Sequence, residues 1–250
     1  MGPAVVSAAV GGVCVGSFLT VVSHRVPRGE PLATGRSRCP SCGAAIAARD
    51  NVPVLSWLAL RGRSRCCGRP ISARYPLTEG LTALLFAAVV AAGWGDPGQI
   101  ALGLVFAATL VAISVTDIER RIIPNRILLV SACAAVAILA IADPAELPEH
   151  LVAAVAAGGV LLVAALAYPR GMGMGDVKLA ATMGVFLGRE VAVAILGGLL
   201  AGSLAGVYLI ARHGAGARKQ AIPFGPFLAL GGIVALFAGE AIADWYLASF

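Results

Sequence analysis

Eight apolar runs occupy most of this chain, near residues 4–22, 77–93, 99–116, 126–142, 151–168, 177–188, 191–211 and 223–243. At about 20 residues per crossing, these lengths suit a bilayer. Lipid offers no partner to a bare N–H or C=O, so each run is held to one conformation, the α-helix. The chain therefore reads as an all-α polytopic membrane protein with about eight transmembrane helices. Composition excludes an ordinary soluble domain: 59% of residues are hydrophobic and 13% charged, against roughly 25% charged in soluble proteins. The sixth run is the shortest and carries an internal glycine.

Charge assigns the loops to sides. Residues 23–76 hold Arg25, Arg28, Arg36, Arg38, Arg49, Arg61, Arg63, Arg65, Arg69 and Arg74. Arg120, Arg121 and Arg126 flank the next loop on that side, Arg170 and Lys178 the next, and Arg212, Arg218 and Lys219 precede the last run. Of the 19 basic residues only Arg189 falls on the other side. There the connections are Trp94–Gly98, the acidic Asp143–His150, and a C-terminus with Glu240 and Asp244. The positive-inside rule then places the basic loops in the cytoplasm and both termini outside. A net charge of +6 distributed this way serves topology and anionic lipid, not nucleic acid. The first run is expected to be a retained helix rather than a cleaved signal, because Met1-Gly2-Pro3 carries no positive charge.

Two regions follow. Residues 1–76 comprise the first helix and the one long hydrophilic segment, a Cys-rich cytoplasmic insertion; 77–250 alternate helix and short loop. The stretch 211–221 is a basic loop that helps set topology. Cys14 and Cys133 lie inside apolar runs and are expected to be small buried hydrophobes. Cys39, Cys42, Cys66 and Cys67 all lie in the insertion, where reducing conditions disfavour disulfides. Two thiol pairs about 20 residues apart have the spacing of a structural zinc site. The second pair is irregular, because a Cys-x-x-Cys ending at Cys67 would begin at 64, and that residue is Ser64. Both adjacent thiols ligate through a strained turn, or three thiols bind with a fourth ligand from elsewhere, or no metal binds. Catalytic zinc is not expected, since no His or carboxylate pattern accompanies the thiols.

The chemistry points to two aspartates. The chain has only 13 acidic residues, and Asp117 and Asp176 each sit at the edge of an apolar run, a costly place for a carboxylate. Asp117 falls where the third helix leaves the membrane core, before Pro124 and Asn125 reset the backbone. Asp176 follows Gly171-Met-Gly173-Met-Gly175 and lies at or near a helix N-terminus. Both are expected on the cytoplasmic side, on different helices, as a water-activating dyad requires. Blander roles exist for each alone: an interfacial ion pair with Arg120 or Arg121, and a helix cap. A nucleotide loop is excluded for want of a preceding strand. A proton- or cation-coupled transporter would need carboxylates near mid-bilayer and internal symmetry, and neither is evident. A zinc-stabilised assembly scaffold with inert aspartates is the remaining alternative.

In these residues the chain resembles the bacterial type IV prepilin peptidases, membrane aspartyl proteases of the Gly-x-Gly-Asp class. The likeness runs through Gly16-Ser-Phe-Leu-Thr-Val-Val-Ser-His-Arg25-Val-Pro27, Cys39-Pro-Ser-Cys42, Asp50-Asn-Val-Pro-Val-Leu-Ser-Trp57-Leu and Pro70-Ile-Ser-Ala-Arg74-Tyr75-Pro76-Leu-Thr-Glu79. It continues in Asp117 through Pro124 and Gly173-Met-Gly-Asp176-Val-Lys178-Leu, so it covers essentially the whole chain. It implies cleavage of the basic leader of prepilins or pseudopilins after a glycine, at the cytoplasmic face of the bacterial inner membrane. It implies Asp117 and Asp176 as catalytic, Gly173, Gly175 and Lys178 as their supporting loop, and no metal in peptide cleavage. Many such enzymes then N-methylate the new terminus with S-adenosylmethionine, an activity tied to the N-terminal cytoplasmic region. Cys39, Cys42 and Cys67 match three of the family's four cysteine positions, while Ser64 occupies the fourth, with Cys66 nearby.

Overall fold

The computed structural model describes residues 1–32, 37–93, 95–169, 171–214 and 222–249. Arg36, Trp94, Arg170, Arg218, Lys219 and most of the 211–221 loop lie outside the described residues. Among those described there is no strand, only the isolated bridges Arg38–Ala45 and Arg63–Pro70. The helices are α1 (Gly2–Arg25), α2 (Leu55–Ala59), α3 (Arg74–Ala92), α4 (Pro97–Arg120), α5 (Asn125–Ala142), α6 (Leu147–Ala167), α7 (Met174–Leu187), α8 (Val191–His213) and α9 (Gly225–Ala248). All eight expected long helices form. The sixth, α7, has 14 residues, about 21 Å at 1.5 Å each, less than the roughly 30 Å of a bilayer core. With α8 it makes one apolar segment, Met174–His213, broken at Gly188–Glu190, so among the described residues seven segments are long and apolar enough to cross a membrane.

The chain forms two compact units, Met1–Ala91 and Ala92–Phe250. In the first, α1 meets α3 through glycines. A Cβ at Gly12 would lie 2.7 Å from the Ala83 Cα, and one at Gly16 2.7 Å from the Glu79 Cα. Close backbone approach of this kind is how helices associate where lipid removes the hydrophobic drive. The insertion folds around Trp57, whose indole N–H donates to the Ile71 carbonyl at 3.1 Å and whose ring lies against Gly62. The buried Glu79 carboxylate accepts the Val54 N–H at 2.7 Å, steadying Val54 at φ 59°.

In the second unit α6 packs on α7, α8 on α9, and α4 on α5 and α9. Phe106, Leu110, Ile113, Leu179, Met183 and Leu228 fill its centre, and the rings of Phe106 and Phe186 stack at 4.8 Å. Val152, Val155, Leu162, Val163, Leu196, Leu200 and Leu204 point outward instead, the surface that lipid covers. The same principle corrects the expectation for Cys14 and Cys133, which are exposed, not buried. A small apolar side chain is as well solvated by acyl chains as by protein, so an apolar run does not distinguish the two faces of its helix.

Candidate active site

On α4, Phe106, Leu110, Ile113 and Asp117 succeed one another at intervals of four, three and four, one buried stripe. On α7, Asp176, Leu179, Met183 and Leu187 likewise recur, at intervals of three, four and four. Both aspartates thus prolong a core-facing stripe to the end of its helix, and they are only 6% and 9% exposed. The two helices that carry them are in contact.

Each carboxylate has one oxygen held by a glycine N–H at the start of a helix. Gly173, the N-cap of α7, donates to Asp176 Oδ2 at 3.2 Å. Gly225, the first residue of α9, donates to Asp117 Oδ2 at 2.8 Å. Asp176 therefore does cap its own helix, which begins at Met174, three residues before the apolar run suggested. Asp117 is bound to the far end of the unit's sequence. Neither Oδ1 has a hydrogen bond to a described residue.

The loop between α4 and α5 braces the start of α7. Arg121 closes α4 in the left-handed region, φ 55°, with its N–H on the Asp117 carbonyl. Two residues on, Ile123 leans on Gly175, where a Cβ would come within 3.0 Å of the Ile123 Cβ. Lys178 Nζ donates to Asn125 Oδ1 at 3.1 Å. Gly173 is thus tied to Asp176, while Gly175 and Lys178 meet the loop that follows Asp117. Gly225 and Ile123 were not singled out from the sequence, and Asn125 stood out only as part of the turn after the third apolar run. The Pro223-Phe-Gly-Pro226 turn that opens the last apolar run was the available signal for Gly225, but nothing local ties it to Asp117, 108 residues earlier. A cavity of about 570 Å³ lies by the opposite end of α4, lined by Asp96, Glu146, His150 and Glu190 among others, and includes neither aspartate.

The four cysteines of the insertion converge: their sulfurs all lie within 4.8 Å of one another. Two matching turns carry them. Cys39 N–H bonds the Ala44 carbonyl and Gly43 N–H that of Cys39; Ser64 N–H bonds the Arg69 carbonyl and Gly68 N–H that of Ser64. Gly43 and Gly68 adopt φ 73° and 67° at equivalent points. Ser64 therefore stands where the first turn has Cys39, Cys67 where it has Cys42, and Cys66 where it has Ser41. The Ser64 hydroxyl contacts Cys67 Sγ at 2.9 Å, while Cys66 Sγ reaches Cys42 Sγ at 3.3 Å and Cys39 Sγ lies 3.8 Å from Cys67 Sγ. Tetrahedral zinc with Zn–S near 2.3 Å needs sulfurs about 3.8 Å apart, so this cluster fits a metal ion, and the adjacent thiols do turn to one point. Backbone N–H groups of Ser41 and Cys42 bring the Cys39 thiol down to about 6. The Cys42 thiol and burial push Cys66 up to about 12.

Residues 10–92 match the model of the bacterial peptidase A24 N-terminal domain, and residues 104–211 that of the type IV leader peptidase family. A prepilin leader peptidase/N-methyltransferase of Aeromonas hydrophila is 37% identical, over 94% of this chain and 91% of the relative. The protein of that name from Bacillus subtilis (strain 168) is 34% identical over 94% and 95%, and that of Myxococcus xanthus (strain DK1622) 39% over 84% and 64%. No solved structure matches the chain.

Proposed function

Since this chain belongs to the type IV leader peptidase family, we propose that it removes the basic leader from prepilins or pseudopilins through the pair Asp117 and Asp176. The observation that carries the reading is the pair's placement: two nearly buried carboxylates on facing stripes of α4 and α7, each with one oxygen tied to a glycine N–H and one left over. In the proposed reaction one aspartate is ionised and takes a proton from water as its oxygen attacks the scissile carbonyl carbon. The other, protonated, gives its proton to the carbonyl oxygen. Collapse of the tetrahedral gem-diol breaks the C–N bond: one of its hydroxyls returns a proton to the second aspartate, and the proton held by the first passes to the leaving amine. No metal is needed. The basic loops are read as cytoplasmic, which places both aspartates at the boundary where a charged leader meets an apolar helix.

The relatives' name also supports a second activity for this chain, N-methylation of the new terminus, located in the N-terminal region. S-adenosylmethionine would supply the methyl group; no residue is assigned to it. Cys39, Cys42, Cys66 and Cys67 would hold a structural zinc that ties the two turns of the insertion together.

The test is Asp117→Asn or Asp176→Asn with a co-expressed prepilin. Unprocessed prepilin is expected from both; full processing by either sinks the dyad. Mass spectrometry of the mature N-terminus decides the second activity, and an unmethylated product from the parent chain removes it.

A further inference from the structure

We infer that Gly225 is a positioning residue for Asp117, a role that rests on the dyad proposed above. Helix α9 starts Gly225-Pro226-Phe227-Leu228. An α-helix begins with N–H groups that lack intrahelical partners, and here they are accounted for one by one. Pro226 has none, and those of Phe227 and Leu228 turn back to the Phe224 carbonyl at 3.0 and 3.1 Å. The Gly225 N–H is the one left, and it is spent on Asp117 Oδ2 at 2.8 Å, in a buried setting. A helix start of this polarity also favours a negative partner.

The residue must be glycine for a second reason. A Cβ at 225 would lie 2.8 Å from Asp117 Oδ2, 3.2 Å from its Cγ and 3.3 Å from its Cβ. Gly225 does not adopt a left-handed φ, so the backbone itself would accept alanine. The demand for glycine comes from the carboxylate. Bond and shape together hold Oδ2 at one place and leave Oδ1 to water, which makes the Pro-Phe-Gly-Pro turn a part of the site contributed by the last helix.

The experiment uses the full chain in detergent with a synthetic prepilin substrate. Gly225→Ala is expected to lower kcat about 100-fold, the scale of a roughly 1 Å misplacement, with KM within about threefold of the parent. Gly206→Ala, at a site with nothing within 4 Å, is the control and should match the parent. Thermal unfolding gives an independent readout: Gly225→Ala should lower Tm in the parent and by less in Asp117→Ala, which removes the contacts at 2.8 and 3.2 Å. If Gly225→Ala does not accumulate, accumulation of Asp117→Ala/Gly225→Ala supports the contact, and failure of both overturns it. Cleavage by Gly225→Ala within threefold of the parent, with Asp117→Asn inactive, overturns the positioning role and leaves the dyad standing. Full cleavage by Asp117→Asn overturns the dyad itself, and the role with it.

Discussion

Gly175 shows how little slack surrounds Asp176. Ile123 occupies the space a side chain would take, so the approach of the α4–α5 loop to the start of α7 depends on the missing Cβ. Gly175→Val is expected to cost about 1–3 kcal/mol, as overpacking does, and to lower cleavage at least tenfold by shifting Asp176. Ile123→Ala in the same chain should recover part of both losses, measured as Tm and as prepilin processed. A double variant no better than Gly175→Val would show that Ile123 is not the obstacle. Gly175 and Asp176 stood out in the sequence because glycine and acid are rare company at the edge of an apolar run. Ile123 did not, since one isoleucine in such a chain carries no signal of what it touches.

At the scale of elements, the two Cys turns are the most instructive. Sequence spacing left three readings open, because Ser64 interrupts the second Cys-x-x-Cys. The two turns have matched hydrogen bonds, and the Cys66 sulfur lies 3.3 Å from that of Cys42; in the proposed zinc site Cys66 would supply the sulfur that position 64 lacks. Cys66→Ser should therefore lower the zinc content of the purified protein, and Ser64→Cys/Cys66→Ser should restore it by returning the ligand to the regular register. Equal zinc in all three proteins would refute the assignment. Arg65, between these positions, is held by Asp50 through contacts of 2.9–3.0 Å to both carboxylate oxygens. The Arg65 guanidinium keeps the Asp50 carboxyl below its usual range. That contribution is fully present above the unfolded value of about 3.9 and fades as pH falls through the lower folded value. The Tm difference between the parent and Asp50→Asn is accordingly expected at pH 7 and to shrink below about pH 4; a difference that persists there would exclude the pair as its source.

For the whole molecule the open quantity is parity. Eight crossings put both termini on one side, while seven put them on opposite sides, and the short α7 within Met174–His213 decides between them. Charge distribution favours eight, with both termini outside. Reporter fusions at each terminus should be active only in the outer compartment, and a membrane-impermeant thiol reagent should reach Ala145→Cys from outside and the insertion's cysteines only from inside. A C-terminal reporter active in the cytoplasm would require seven.

Sequence alone determined the helical class, the Cys-rich insertion and the residues worth watching, because hydropathy, charge and glycine placement act locally along the chain. The places of Asp117 and Asp176 at the edges of apolar runs were legible too. Which face of each helix meets protein was not, as Cys14 and Cys133 show, because lipid and core are equally apolar. Tertiary structure alone decided that Asp117 is held from Gly225 and that the Cys66 sulfur lies beside that of Cys42. Both rest on contacts between residues far apart in the chain, whose meeting is set by how whole helices and turns pack.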